Sequence, residues 1–256
     1  MNMVQMKQKV SESEWQTRVD LAACYRLVAH YGWTDLIFTH LSARVPDSVG
    51  SAEGEAFLIN PLGYLFNEIT ASSLVKVDLE GKILSKTDHQ INPAGFTIHS
   101  AVHGARPNVG CVMHLHTDDG VAVSSQADGL LPLTQTAMTI VPNLAYHDYE
   151  GIALNHDERE RLVAHLGDSN VMILRNHGTL TCGENVSSAF LNMYLLERAC
   201  SMQVRALSGS AKLNMPSTKA IETVATQISD TNLSLSELAW PALLRMLDSQ
   251  DPSYRD

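Results

Sequence analysis

The stretch Val109-Gly110-Cys111-Val112-Met113-His114-Leu115-His116-Thr117 joins an apolar run to two histidines that are separated by one residue. A short apolar run predicts a buried β-strand over residues 109–117. Residues i and i+2 of a strand point to the same face, so both imidazoles can contact one metal ion from one side. His177, in Leu174-Arg175-Asn176-His177-Gly178, follows a second predicted strand and can add a third imidazole. Three neutral imidazoles with an open fourth position are typical of a catalytic zinc site, although an isolated His-x-His pair more often only hydrogen bonds.

The composition favours a small-molecule partner. The chain has 256 residues, is 45% hydrophobic and carries a formal net charge of −10, which suits a packed core but gives no basic surface for nucleic acid or anionic lipid. It lacks a run of about 18 apolar residues, and residues 1–10 lack the apolar centre of a signal peptide. We therefore expect a cytoplasmic protein without a membrane or nucleic-acid partner.

The four cysteines, Cys24, Cys111, Cys182 and Cys200, lie far apart in the sequence and form no Cys-x-x-Cys motif. Three of them lie in apolar segments, where cysteine behaves as a small hydrophobic residue. We interpret them as reduced core residues. The alternative for Cys182, which follows His177 closely, is a role as a soft metal ligand.

Hydrophobic periodicity and capping residues predict alternating helices and strands. Ser11 and Glu14 form a capping box ahead of a helix that runs to about Tyr31. Strands are predicted over residues 35–45, 56–60, 74–79 with a hairpin to 83–84, 109–117, 138–146 and 171–175. Further helices are predicted over 95–105, from 118, over 156–166, 186–207, 219–228 and 235–247, the last started or bent by Pro241. This order predicts one domain over residues 1–256, an α/β sheet between helical layers, without a nucleotide-binding glycine motif.

The order of these motifs resembles the class II aldolase/adducin family. Arg106-Pro107-Asn108-Val109 leads into the His-x-His strand, the Leu174–Gly178 segment follows, and a long helix comes next. The resemblance covers about residues 15–210 and leaves a helical tail over about 211–256. It implies a three-layer α/β/α fold with a central, mostly antiparallel mixed sheet. It also implies a homo-oligomer, commonly a tetramer with sites at subunit contacts, and His114, His116 and His177 as ligands of one divalent metal ion, Zn²⁺ before Fe²⁺ or Mn²⁺.

The sequence departs from the family's sugar-phosphate aldolases around the substrate. Their acid/base glutamate falls on Gly95, and the two serines that bind phosphate fall on Pro93 and Ala94. The phosphate-binding Gly-Asn-x-Ser-x-Arg segment is Thr39-His40-Leu41-Ser42-Ala43-Arg44, and the Thr-Gly of the phosphate loop is Leu62-Gly63. A phosphate dianion needs several donors and compensating charge, so these changes predict a substrate without phosphate. The segments Asn92–Phe96 and Tyr146–Gly151 resemble the adducin-like branch of the family more closely.

We therefore predict a divalent-metal-dependent lyase that acts on a small, non-phosphorylated hydroxycarbonyl or oxoacid through a metal-stabilised enolate. Aldol cleavage and decarboxylation share that requirement, and the sequence does not choose between them. Two alternatives stay open: a non-haem iron oxygenase of a 2-oxoacid, and a non-catalytic adducin-like binding module.

The residue that moves the proton is not identified by the sequence. Tyr149 and Glu150 belong to the densest titratable cluster outside the proposed ligands and are hypotheses only, because a solvated turn also explains that cluster. His40 and His99 can either line the pocket or serve as structural histidines.

Overall fold

Seven strands form one mixed sheet flanked by helices in the computed structural model, which describes residues 6–50, 54–151, 158–229 and 235–256. The strands are β1 (His40–Arg44), β2 (Phe57–Ile59), β3 (Val75–Val77), β4 (Cys111–Leu115), β5 (Leu144–His147), β6 (Val171–Leu174) and β7 (Gly178–Gly183). The α-helices are α1 (Glu12–His30), α2 (Pro93–Ala105), α3 (Asp118–Ser124), α4 (Gln135–Ile140), α5 (Glu158–Leu166), α6 (Val186–Leu207), α7 (Thr218–Ser229) and α8 (Leu235–Gln250). Among the described residues, no helix is long and apolar enough to cross a bilayer.

Strand β4 lies at the centre of the sheet, whose order is β3-β2-β1-β4-β7-β6-β5. Every neighbouring pair is antiparallel except β5 and β6, which are parallel. In this register His114 of β4 lies opposite His40 of β1 on one side and opposite Leu180 of β7 on the other. The predicted mixed, mostly antiparallel sheet is confirmed.

The two faces of the sheet bury different helices, which gives the predicted three-layer α/β/α arrangement. Leu41 and Met113 pack with α1 and α6 on one face. Val112 and Leu180 pack with α2 and α5 on the opposite face. Because side chains alternate along a strand, His40, Ser42 and His114 share the second face.

Most predicted elements are present, with different bounds. The first helix begins at Glu12, where the Ser11 hydroxyl accepts a hydrogen bond from the Glu14 amide, as the capping box predicts. Of the strand predicted over 35–45, only β1 is extended in the structure, because Leu36 and Thr39 ahead of it adopt left-handed conformations. The hairpin after β3 is reduced to an isolated bridge to Ile83. Helix α8 contains Pro241 in its interior.

Two predictions around the sheet were wrong. The segment predicted as extended over 138–146 begins in the last residues of helix α4 and continues through a 3-10 turn at Val141–Asn143, so that only its part in β5 is extended. The Thr134 hydroxyl caps α4 by accepting from the Ala137 amide. Strand β7 was not predicted, since the turn after β6 masks its short Thr-Leu-Thr-Cys alternation. The predicted helix over 156–166 is described only from Glu158, and its first two residues lie outside the described ranges.

A buried polar cluster joins β1 to helix α2. The Ser42 hydroxyl lies 2.6 Å from His99 Nδ1 and 2.8 Å from His103 Nε2, and all three residues are buried. Burial lowers the pKa of His99 well below its usual range and that of His103 to about 3. Both imidazoles are therefore neutral, and the hydroxyl can donate to one ring and accept from the other.

A second buried cluster joins helix α6 to β7 and to the start of α3. The Thr179 hydroxyl donates to Glu197 Oε1 at 2.9 Å, and the Thr117 hydroxyl donates to Oε2 of the same carboxyl group. Burial raises the pKa of Glu197 to about 7 despite these two hydrogen bonds. The Glu197 carboxyl group thus links the segment that follows β4 to β7, at the end of the sheet where these two strands pair.

We predict that Ser42→Ala lowers the free energy of unfolding by about 2 kcal/mol, because two buried imidazoles lose their hydrogen-bond partner. Urea denaturation measures the effect. Ser210→Ala, at an exposed position after α6, is the control and should change the free energy by less than about 0.5 kcal/mol. Equal stability of the two variants would contradict the role given to Ser42.

We predict that Glu197→Gln changes the pH dependence of stability. The raised pKa keeps Glu197 protonated in the folded state between about pH 4.5 and 7, where the unfolded chain is ionised. The folded state then binds more protons, so this carboxyl's contribution to stability falls as pH rises through that window. The free energy of unfolding of the parent minus that of the variant should fall by about 2–3 kcal/mol from pH 5 to 8.

Denaturation titrations at both pH values provide the measurement for Glu197. The exposed Glu160→Gln, which removes the same charge from α5, is the control. Parallel pH profiles for the parent and Glu197→Gln would show that the buried carboxyl is not the source of the effect.

Candidate metal centre

The structure brings His114, His116 and His177 together at one end of the sheet. One ring nitrogen of each residue lies within 4.8 Å of those of the other two. His114 is in β4, His116 lies just beyond the end of that strand, and His177 lies in the turn between β6 and β7. The Nε2 atoms of His114 and His116 are 3.0 Å apart.

The outer nitrogens of two of these rings are fixed by hydrogen bonds. His114 Nδ1 lies 3.0 Å from the Thr179 carbonyl oxygen, and His116 Nδ1 lies 3.1 Å from Asp35 Oδ2. A carbonyl and a carboxylate only accept, so Nδ1 carries the hydrogen in both rings. In two neutral rings the Nε2 lone pairs then face each other, which is favourable only with a cation between them. This donor set therefore fits a divalent ion, and the outer hydrogen bonds orient the rings as in known metal sites.

The third histidine depends on a tight turn. Asn176 adopts a left-handed conformation with φ of 57°, which asparagine tolerates better than most residues. A side chain at Gly178 would place its Cβ 2.3 Å from the Leu115 carbonyl oxygen. The glycine thus allows β7 to approach the end of β4, where the His177 and His116 ring centroids are 4.8 Å apart.

Burial keeps two of the three imidazoles in the form that binds metals. Desolvation, followed by the neighbouring imidazoles, lowers the pKa of His114 well below its usual range. The same two causes lower the pKa of His177 to about 4. Neutral imidazoles result, and a metal ion requires the unprotonated nitrogen.

A cavity of about 380 Å³ opens beside the three imidazoles. Its described lining residues are Phe38, Thr39, His40, Asn92, Gly95, Ile98, His114, His116, Tyr149, Gly151 and His177. No lysine or arginine is found among these residues. The site can thus surround a small molecule with neutral polar groups and imidazoles.

The structure separates the other candidates. Tyr149 lines the cavity, is 54% exposed, and its ring centroid lies 6.3 Å from that of His177. The Glu150 carboxylate accepts hydrogen bonds from Arg161 Nε at 2.7 and 3.0 Å and is not among the described lining residues. His40 lines the cavity. The buried His99 is not among the described lining residues, and its ring centroid lies 5.3 Å from that of His40.

Cys182 lies in the apolar cluster between β7 and helix α2, away from the group of three histidines. Burial raises the pKa of its thiol to about 12, so it stays protonated. All four cysteines are buried and free, as the sequence predicts.

Sequence reasoning missed the groups that orient the rings. Asp35 falls in a segment predicted as a strand, and only the folded loop ahead of β1 places its carboxylate beside His116. The Thr179 carbonyl has no sequence signal, because every residue has a carbonyl. Prediction of β7 would have placed Thr179 beside Leu115 and close to His114.

Comparison with known proteins agrees with this architecture. Residues 19–204 match the profile of the family described as Class II Aldolase and Adducin N-terminal domain. A Caulobacter vibrioides protein, named only as a candidate class 2 aldolase, is 57% identical over 252 residues, or 98% of this chain and 96% of that protein. Mouse alpha-adducin is 42% identical over 250 residues, which cover 91% of this chain but 33% of the adducin.

Two solved structures share the fold closely. An aldolase II superfamily protein from Pseudomonas syringae has a TM-score of 0.93 at 50% identity and covers 98% of this chain and 100% of its own. L-fuculose 1-phosphate aldolase from Glaciozyma antarctica has a TM-score of 0.81 at 27% identity. The match covers 96% of this chain and 93% of the aldolase chain. With the profile match over more than two thirds of its length, the chain belongs to the class II aldolase/adducin family.

Proposed function

We propose that the protein is a divalent-metal-dependent lyase that acts on a small, non-phosphorylated hydroxycarbonyl or oxoacid. The observation that carries the proposal is the 3.0 Å separation of the His114 and His116 Nε2 atoms, whose rings both donate from Nδ1. Burial strongly lowers the pKa of His114, which disfavours a proton on that ring. A metal ion that His177 also contacts satisfies all three rings.

Zn²⁺ is the metal we favour, with Fe²⁺ or Mn²⁺ as alternatives. Ligand nitrogens at about 2.0–2.1 Å from a tetrahedral zinc lie about 3.3 Å from each other, close to the separation of the two Nε2 atoms. When bound, the ion would act as a Lewis acid that stabilises an enolate oxygen of the substrate. The chain's own residues would hold that ion through three neutral imidazoles and leave the cavity side open to substrate.

The cavity lining supports a substrate without phosphate. A phosphate dianion needs compensating charge, and the described lining residues supply neutral groups such as Thr39, Asn92 and Tyr149. Position 95 holds no carboxylate, so the family's aldolase chemistry would need another proton carrier. Tyr149 stays our candidate because it lies in the cavity, whereas Glu150 is paired with Arg161.

The second candidate function is an adducin-like binding module, which the 42% identity with alpha-adducin favours. In that case the metal would be structural and the cavity would not turn over a substrate. For either function we expect a cytoplasmic homo-oligomer, a tetramer by family resemblance.

We predict that the protein purified without chelator contains one equivalent of metal per chain, and that His114→Ala/His116→Ala contains almost none. Removal of two of three ligands leaves too few donors to hold the ion. Elemental analysis measures both the amount and the identity of the metal. His30→Ala/His89→Ala, which removes two histidines outside the group of three, is the control and should keep its metal. Equal metal content in the parent and the His114→Ala/His116→Ala variant would remove the basis of the proposal.

We predict metal-dependent enolate formation by the zinc-loaded protein. Dihydroxyacetone, glycolaldehyde, pyruvate and oxaloacetate in D₂O should show, for at least one compound, faster C–H exchange or C–C cleavage than with His114→Ala/His116→Ala, because the metal stabilises the enolate oxygen. Proton NMR follows both reactions, and a chelator should abolish them. Full metal occupancy without turnover of any compound would favour the binding module, and oxygen uptake by an iron-loaded sample would instead favour the oxygenase.

A further inference from the structure

At the wall of the metal-site cavity, the His40 ring occupies the space that a side chain at position 95 would need. A Cβ added to Gly95 would lie 1.7 Å from His40 Nε2 and 2.1 Å from Cδ2. Gly95 lies in the first turn of α2, outside the left-handed region, so its backbone conformation does not require glycine. The requirement comes from the imidazole, which occupies the volume that any side chain at position 95 would need.

His40 lies next to the candidate ligands because of the sheet register. It pairs with His114 across β1 and β4, and the two rings lie nearly parallel with centroids 6.0 Å apart. His40 and Gly95 both line the cavity, and His40 is only 6% exposed. Its ring thus forms part of the wall next to the three imidazoles.

The polar atoms of His40 are poorly satisfied within the described part of the chain. Nε2 has a contact of 3.5 Å with Asn92 Nδ2, at the limit of a hydrogen bond, and Nδ1 is buried without a partner. A buried, unpaired ring nitrogen costs stability unless it has a use. Nε2 lies beside Asn92 and Gly95, which both line the cavity, and its single contact is weak, so it is the ring nitrogen that can accept or donate a hydrogen bond to a ligand there.

We propose that His40 is a ligand-binding residue whose Nε2, held at the cavity wall in the space that Gly95 leaves free, hydrogen bonds a polar oxygen of the molecule held at the His114, His116 and His177 centre. The inference rests on the proposed function, since it assumes that the centre binds a metal and a small oxygen ligand.

The proposal narrows the substrate class. The ring lies at the cavity wall beside Asn92 and Gly95, where its Nε2 can make one hydrogen bond to a ligand. A molecule with two neighbouring oxygens, such as a hydroxycarbonyl or a 2-oxoacid, can place one on the metal and the other on His40.

The test uses acetohydroxamate, a small chelator with two neighbouring oxygens and no phosphate, as the probe. Calorimetric titration measures Zn²⁺ affinity of the metal-free protein and acetohydroxamate affinity of the zinc-loaded protein. We expect His40→Ala to keep Zn²⁺ affinity within about threefold and to weaken acetohydroxamate binding about tenfold, the effect of one lost hydrogen bond. Thermal unfolding of each variant shows that it is folded.

Gly95→Ala tests the same contact from the other side. Its Cβ must displace the imidazole, so acetohydroxamate should bind as weakly as to His40→Ala. Gly104→Ala is the matched control on the same helix, because its Cβ would meet only Leu79 Cδ2, at 3.7 Å. The double variant His40→Ala/Gly95→Ala should lose no more affinity than His40→Ala alone, since the ring that Gly95 accommodates is already absent. If Gly95→Ala does not fold, His40→Ala and the double variant decide the question.

Four outcomes overturn the inference, and they are distinguishable. Absence of zinc binding by the parent removes the proposed function and the inference with it. Zinc binding without acetohydroxamate binding, or unchanged acetohydroxamate affinity in His40→Ala, overturns the inference alone and leaves the metal centre standing. Loss of Zn²⁺ affinity in His40→Ala would make the residue structural.

Discussion

The hydrogen bond from His114 Nδ1 to the Thr179 carbonyl is the contact on which the candidate centre depends. It exists because β4 and β7 pair antiparallel, with Leu115 opposite Thr179. The same pairing brings the turn that carries His177 to the end of β4. Once Nδ1 is the donor, Nε2 must point into the site as an acceptor, so the sheet sets the tautomer as well as the position of the ring.

The sequence allowed prediction of the group of three histidines, because two strand residues at i and i+2 and a third beyond another buried strand meet at one sheet edge. It did not allow prediction of the contacts around them. His40 and Gly95 touch only because β1 pairs with β4 and helix α2 packs over that face. Contacts between residues 55 positions apart depend on register, and the local pattern around His40 carries no information about it.

Sequence reasoning predicted helices where caps were clear and failed where structure depended on neighbours. The capping residue Ser11 marked the start of α1 in the sequence, and the structure shows that Asn185 caps α6, the longest helix among the described residues. Strand β7 gains its stability from two flanking strands and from α6, so its own six residues carry a weak signal. Family membership shows the fold, but the chemistry belongs to the residues at the site, and these differ from the aldolase pattern at position 95.

The overlap between His40 and position 95 imposes an order on evolutionary change in this protein. A lineage that gained a carboxylate at position 95 would first have to replace the imidazole, since the reverse order creates a collision. The intermediate protein would have neither the imidazole nor the carboxylate. Under the proposed role of His40, its site would therefore bind the ligand more weakly. Selection against that intermediate would keep a carboxylate out of position 95 for as long as His40 is retained.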